Sequence, residues 1–223
     1  MNLIIGDSHI LCLEKYNNNI HEFSASSIRG LVNKNSKLLA REKILNLLEK
    51  NKYEKLFIMF GKVDVEWVYP YKCKDSNINF NDFVNETLIK YVEFINEISK
   101  YFKKIYVMGL HLPSLEEPEM LKCINTYKAI QNVSSNAMIE VNASSIKNIG
   151  SLKFRTEQIC IFNKILEEKI HNMDKCNYID ITDELMDKKT NTCKKEFIAN
   201  MDHHLIRRKT GAIWFEKHLK NLF

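Results

Sequence analysis

Short apolar runs without alternation, separated by longer amphipathic stretches, set the rhythm of this chain. Leu3-Ile4-Ile5 closes on Gly6-Asp7-Ser8, which predicts a buried first strand followed by a tight turn. A second short strand is expected over Ile20–Phe23. Ser36 is placed to cap a helix over about 37–50, where Leu38, Ile44, Leu45 and Leu48 recur at helical spacing. Leu56–Phe60 is apolar throughout and stops at Gly61, as in a strand covered on both faces. From Asp82 to Phe102 the residues Val84, Leu88, Tyr91, Val92, Ile95, Ile98 and Phe102 form one helical stripe. Ile105–Leu110 reads as another buried strand and 117–132 as a helix. A helix over 152–173 would carry Ile159, Phe162, Leu166 and Ile170 on one side. Tyr178–Ile181 is the last expected strand and 207–222 a closing helix. Val133–Ser151 is the least regular stretch and the expected place for a lid or substrate loop.

Strands alternating with helices define an α/β protein: five parallel strands, joined by right-handed crossovers and covered on both faces. Composition narrows this further. The 223 residues suit a single domain over 1–223, and the scarcity of Gly (6) and Pro (3) argues against many-turned β architectures. The net charge of +5 is spread among interleaved Lys and Glu, so no nucleic-acid partner is expected. No apolar run approaches the ~20 residues of a membrane span. Met1–Asp7 lacks the basic and long apolar regions of a signal peptide, and six cysteines without paired spacing read as reduced thiols. A cytoplasmic location is the resulting expectation. No glycine-rich phosphate loop is present, which argues against nucleotide chemistry.

In a parallel sheet, ligands bind beyond the carboxyl ends of the strands. Those ends carry Asp7-Ser8-His9, Ser24–Gly30, Gly61–Glu66, His111 and, after the last strand, Asp202-His203-His204. A serine at such an end can attack an acyl carbon if a histidine takes its proton and a carboxylate orients that histidine. Ser8 and the Asp202–His204 segment are therefore expected on one rim despite their separation. Asp64, Glu66, Tyr69 and Tyr71 form a second group. Its carboxylates suit acid/base work, a divalent metal or substrate positioning, and its tyrosines suit stacking on a sugar or packing as a lid. Substrate positioning is favoured over metal, and no metal site is expected.

Gly6-Asp7-Ser8-His9 and Asp202-His203-His204-Leu205 resemble the first and last motif blocks of the SGNH (GDSL-type) hydrolases. A narrower resemblance, to a branch that accompanies glycan biosynthesis, rests on Ser27–Lys37, on Phe60–Lys72 and on Arg155 through Phe162-Asn163-Lys164-Ile165-Leu166. It implies a three-layer α/β/α, flavodoxin-like fold and a serine hydrolase or acyltransferase without cofactor. The implied substrate is an O-acyl, most simply O-acetyl, group on a glycan or small acylated carbohydrate.

On that resemblance Ser8 is the nucleophile, His204 the general base, with His203 as the alternative, and Asp202 the orienting carboxylate. The backbone N–H groups of Ser8 and Ala25 would serve the oxyanion, Ala25 standing at the family's second-block glycine. Two departures bear on activity. Gly61-Lys62-Val63-Asp64 has valine where the family's G-x-N-D supplies an oxyanion asparagine, with His9, Asn33 and Lys62 as conceivable substitutes. A lost oxyanion donor typically costs ~2.7–4 kcal/mol of transition-state stabilisation, so a slow esterase is expected. The last block reads Asp-His-His rather than D-x-x-H, which leaves the choice of base open. A non-catalytic glycan-binding module on the same fold is the alternative that Val63 favours.

Overall fold

A computed structural model describes residues 1–33, 35–73, 76–124, 149–200 and 202–222. Five strands form one parallel sheet: β1 (Asn2–Gly6), β2 (Ile20–Glu22), β3 (Lys55–Met59), β4 (Lys104–Met108) and β5 (Cys176–Ile179), in the order β2-β1-β3-β4-β5. Registers such as Ile5↔Ile58, Phe57↔Tyr106 and Val107↔Tyr178 hold the strands in step. Leu3, Ile4, Ile5, Leu56, Phe57, Ile58, Ile105 and Val107 are fully buried, because helices cover both faces of the sheet.

On one face α4 (Phe80–Ser99) packs between α1 (Ile28–Val32) and α6 (Leu152–His171), with α2 (Ala40–Lys50) beyond α1. On the other, a 3-10 helix, Ser8–Leu13, lies against α8 (Arg207–Trp214). This is the expected three-layer α/β/α arrangement. Helix α4 starts where the Asn79 side chain accepts the N–H groups of Asn81 and Asp82, at 2.9 and 3.2 Å. Ser151 caps α6 in the same way through the Phe154 N–H. Within α6, Asn163 accepts the Leu110 N–H at 2.8 Å and donates to the Leu110 carbonyl at 3.0 Å. One amide thus replaces the ladder partners that the backbone loses as it leaves β4.

Several boundaries differ from expectation. Helix α2 begins at Ala40, not Lys37, because Leu39 adopts a left-handed φ of 51° and interrupts the helical path; no side chain caps it. Two short strands, β6 (Met186–Asp187) and β7 (Thr192–Cys193), form an antiparallel pair after α7 (Thr182–Leu185). At two residues each they are too short to show a period. The closing helix gives way after Trp214 to a wider π turn over Phe215–Leu219. A second π turn, Asp64–Val68, precedes α3 (Tyr69–Cys73), so Asp64 and Glu66 stand on helical backbone and not on a strand. Residues 117–124 are helical (α5); the rest of the expected 117–132 helix, and the expected lid as far as residue 148, lie outside the described residues. No helix among the described residues is long and apolar enough to cross a membrane.

Candidate active site

The first strand delivers Ser8 through a close approach. Gly6 carries no Cβ because one there would overlap the Met59 carbonyl and come within 2.5 Å of Ile10 Cγ2. The Asp7 N–H then donates to Met59 O at 3.1 Å, and the Asp7 carboxylate caps the 3-10 helix by accepting the His9 N–H at 3.0 Å. Ser8 therefore opens that helix at the carboxyl edge of the sheet.

The partner segment arrives from the other end of the chain. An antiparallel bridge, Ile198↔Leu205, and a bond from the Ile206 N–H to Phe197 O at 2.8 Å close the loop holding Asp202-His203-His204. Ser114 Oγ anchors it by donating to the Asp202 carbonyl at 3.1 Å. Ser8 Oγ lies 2.7 Å from His204 Nε2, and His204 Nδ1 lies 2.7 Å from Asp202 Oδ1. The same carboxylate oxygen accepts the His204 N–H at 2.9 Å. With Nδ1–H donating to Asp202, the neutral imidazole presents its Nε2 lone pair to the serine hydroxyl. Partial burial works against the charge on Asp202, but the His204 N–H and ring and the nearby His203 outweigh it and hold the carboxyl below its usual range.

Two further histidines crowd this pair, and a third, His111, lies behind His9. The His9 ring lies 4.6 Å from the His204 ring, centroid to centroid, and His203 lies 3.9 Å from His204. His203 faces Cys123 Sγ through Nδ1 at 3.6 Å and meets Trp67 edge-on. His203 Nδ1 is also 3.6 Å from Asp202 Oδ1, against 2.7 Å for His204. Burial, then repulsion from His204, holds both His9 and His203 below the ordinary imidazole range, His9 far below it. His111, at the end of β4, is buried and accepts the Trp214 indole N–H at 2.8 Å.

The carboxylates of the second predicted group lie in the interior. Asp64 is fully buried and accepts the Ile28 N–H at 2.6 Å and the Arg29 N–H at 3.3 Å, so it caps α1 rather than facing a ligand. Glu66 pairs with Lys62 at 2.9 Å, and Lys62 also donates to the His111 carbonyl at 2.6 Å. Both side chains are buried, so the Lys62 ammonium is spent on the core and not on an oxyanion. Burial opposes the charge on Glu66, yet Lys62 and Arg155 keep its carboxyl below the usual range. Tyr69 donates to the Ile78 carbonyl and packs on Phe80 and Phe83; Tyr71 is exposed on α3. Asn33 ends α1, with its side chain accepting the Asn35 N–H. Ala25 holds a φ of 60°, the left-handed region that glycine occupies most easily.

The geometry thus gathers Ser8, Asp202, His204, His203 and His9 and sets Asp64 and Glu66 apart. Sequence reasoning missed the neighbours that fix His203 and the loop: Trp67, Ser114 and Cys123. None of the three carries a local signal, since each meets its partner only through the fold.

No protein-family model and no curated protein matches the chain. Solved structures match it in fold. A GDSL-like lipase from Bacteroides thetaiotaomicron aligns at TM-score 0.57 and 10% identity, over 100% of this chain and 88% of that one. A Bacteroides fragilis protein provisionally described as an acylhydrolase aligns at 0.56 and 10%, covering 99% and 86%. A Streptococcus pneumonia protein provisionally described as a platelet activating factor aligns at 0.55 and 17%, covering 98% and 83%. The three-layer arrangement around five parallel strands is therefore the fold of these solved structures, among them a GDSL-like lipase, shared at low identity.

Proposed function

We propose that the protein is a serine esterase or acyltransferase of SGNH type, acting on an O-acyl, most simply O-acetyl, group of a carbohydrate. The observation that carries the reading is the continuous chain of short contacts from Ser8 Oγ through His204 to Asp202, 2.7 Å at each step. In the proposed reaction His204 Nε2 takes the Ser8 proton as Oγ bonds to the acyl carbon, and Asp202 stabilises the imidazolium that forms. The protonated Nε2 then returns its proton to the departing sugar oxygen, leaving an acyl-serine. Water or a second hydroxyl attacks that ester with His204 again as base.

The backbone N–H groups of Ser8 and Ala25 are the proposed oxyanion donors. With valine at position 63, turnover is expected to be low. The sugar half of the substrate rests on the sequence resemblance to the glycan-associated branch, and the cytoplasm is the proposed location. A fluorophosphonate probe tests the chemistry directly. Labelling of the wild type that disappears in Ser8→Ala supports it; absence of labelling in both removes it and leaves a binding module on a hydrolase fold.

A further inference from the structure

Beside the Ser8–His204 contact lie two histidines, His9 and His203, that the proposed ester chemistry does not use. His9 is 6% exposed, its Nδ1 faces Asp7 Oδ1 at 3.0 Å, and its Nε2 has no hydrogen-bond partner among the described residues. With Asp7 accepting at Nδ1, the neutral ring carries its proton there and leaves a bare lone pair on a buried Nε2. His204 repeats the pattern with Asp202 behind Nδ1 and a lone pair at Nε2. A carboxylate behind an imidazole whose other nitrogen is free is the arrangement that orients histidine ligands to zinc. One ligating nitrogen from each of His9, His203 and His204 lies within 4.8 Å of the other two.

We propose that His9, His203 and His204 bind a Zn²⁺ ion, and that the bound ion silences the serine by occupying the lone pair of His204. The second half of this proposal rests on the hydrolase reading above. Tetrahedral zinc with nitrogen ligands at about 2.0–2.1 Å needs nitrogens roughly 3.4 Å apart, so the three nitrogens, within 4.8 Å of one another, must draw together by up to roughly 1.4 Å. Two of the rings share the loop between Phe197 and Arg207, held at its base by the Ile198↔Leu205 bridge, so the contraction asks for movement of that loop and not of the five-stranded sheet. Three imidazoles leave a fourth position for water. The donor set favours zinc over magnesium or calcium, which take oxygen ligands. The buried cation Lys62 is matched by Glu66, while Asp7 and Asp202 place carboxylates behind two of the ligands.

Ion and catalysis exclude each other in this geometry. Zinc on Nε2 of His204 removes the acceptor for the Ser8 proton, and no bond is made or broken beyond coordination. The site would make the enzyme responsive to zinc availability.

The test titrates the chelator-treated, desalted full chain with ZnCl₂ by calorimetry and follows fluorophosphonate labelling of Ser8 over the same range. Binding of one ion per chain, at least tenfold weaker in His9→Gln and in His203→Ala, with labelling lost as the site fills and restored by EDTA, is the expected result. His203→Ala, on the loop, keeps the test open if His9→Gln does not fold. Absence of stoichiometric binding, an unchanged Kd in both variants, or full labelling at saturating zinc overturns the proposal. The two readings separate cleanly. A chain that labels but binds no zinc loses only the metal site. A chain that binds zinc through these histidines yet never labels, with or without EDTA, keeps the site and loses the hydrolase assignment.

Discussion

The carboxylate of Asp64 accepts the backbone N–H of Ile28 at 2.6 Å, across 36 residues of sequence, and so starts α1 from inside the protein. Burial raises the Asp64 pKa from 3.8 to about 7, against the opposing pull of the Ile28 and Arg29 N–H groups. The folded state therefore holds this proton over a range in which the unfolded chain has released it. Folded protein binding more protons means stability that falls as pH rises from about 4 to 7, with a slope approaching about 1.4 kcal/mol per pH unit from this group. Asp64→Asn keeps an acceptor for Ile28 but cannot titrate. Urea unfolding should show the variant gaining on the wild type between pH 5 and pH 7.5; parallel stability curves would contradict the assignment.

The Lys62–Glu66 pair gives a second expectation. Both side chains are buried, and Lys62 also holds the His111 carbonyl beside β4. Lys62→Met leaves an unpaired buried carboxylate and should cost about 3–5 kcal/mol. Lys62→Met combined with Glu66→Leu removes both charges and should recover most of that loss. A double variant no more stable than the single one, by denaturant titration, would mean that the ion pair is not the source of the cost.

Gly211 couples the two halves of the site. A Cβ on this residue would overlap the Cys12 carbonyl, so α8 reaches the Ser8–Leu13 helix only because the side chain is missing. Gly211→Ala should cost about 1–3 kcal/mol through overpacking and also slow probe labelling, since Ser8 begins one of these helices and His204 precedes the other. Arg208→Ala, exposed on the same α8, should change stability by less than about 0.5 kcal/mol. Equal melting temperatures for Gly211→Ala and wild type would rule out the close approach.

How much of this was readable beforehand depends on how local each cause is. Leu3–Ile5 and Leu56–Ile58 announce buried strands because every position in them is covered, whatever covers it. The place of Ser8 was legible for a topological reason, since parallel strands release their ends on one rim; His204 lies beyond β5, α7, β6 and β7, so its place there was expected from the resemblance of the Asp202-His203-His204 block and not from strand order. The fate of a carboxylate was not legible. Val63-Asp64-Val65-Glu66 alternates like a strand, and only the π turn, with Ile28 lying opposite one residue and Lys62 one turn before the other, sends both inward. Nor could the start of α2 be read, since Leu39 takes a left-handed conformation with neither glycine nor asparagine to signal it.

The doubled histidine supplies the sharpest kinetic expectation. His204 is the imidazole placed between Ser8 and Asp202, whereas His203 turns its Nδ1 towards Cys123 and lies 3.6 Å from Asp202. Measured with EDTA present on a small activated acetyl ester, His204→Ala should lower kcat/KM by on the order of 10³-fold or more. His203→Ala should lower it by at least an order of magnitude less. Asp202→Asn should also be damaging, by roughly 10²–10⁴-fold, because an amide that donates to Nδ1 selects the tautomer with its proton on the nitrogen facing Ser8. The pattern matters more than any single value. A dead His203→Ala beside an active His204→Ala would transfer the base to His203 and require the loop to rotate before catalysis. Equal losses in all three variants, with Ser8→Ala retaining the same residual rate, would show that the measured hydrolysis does not pass through this serine.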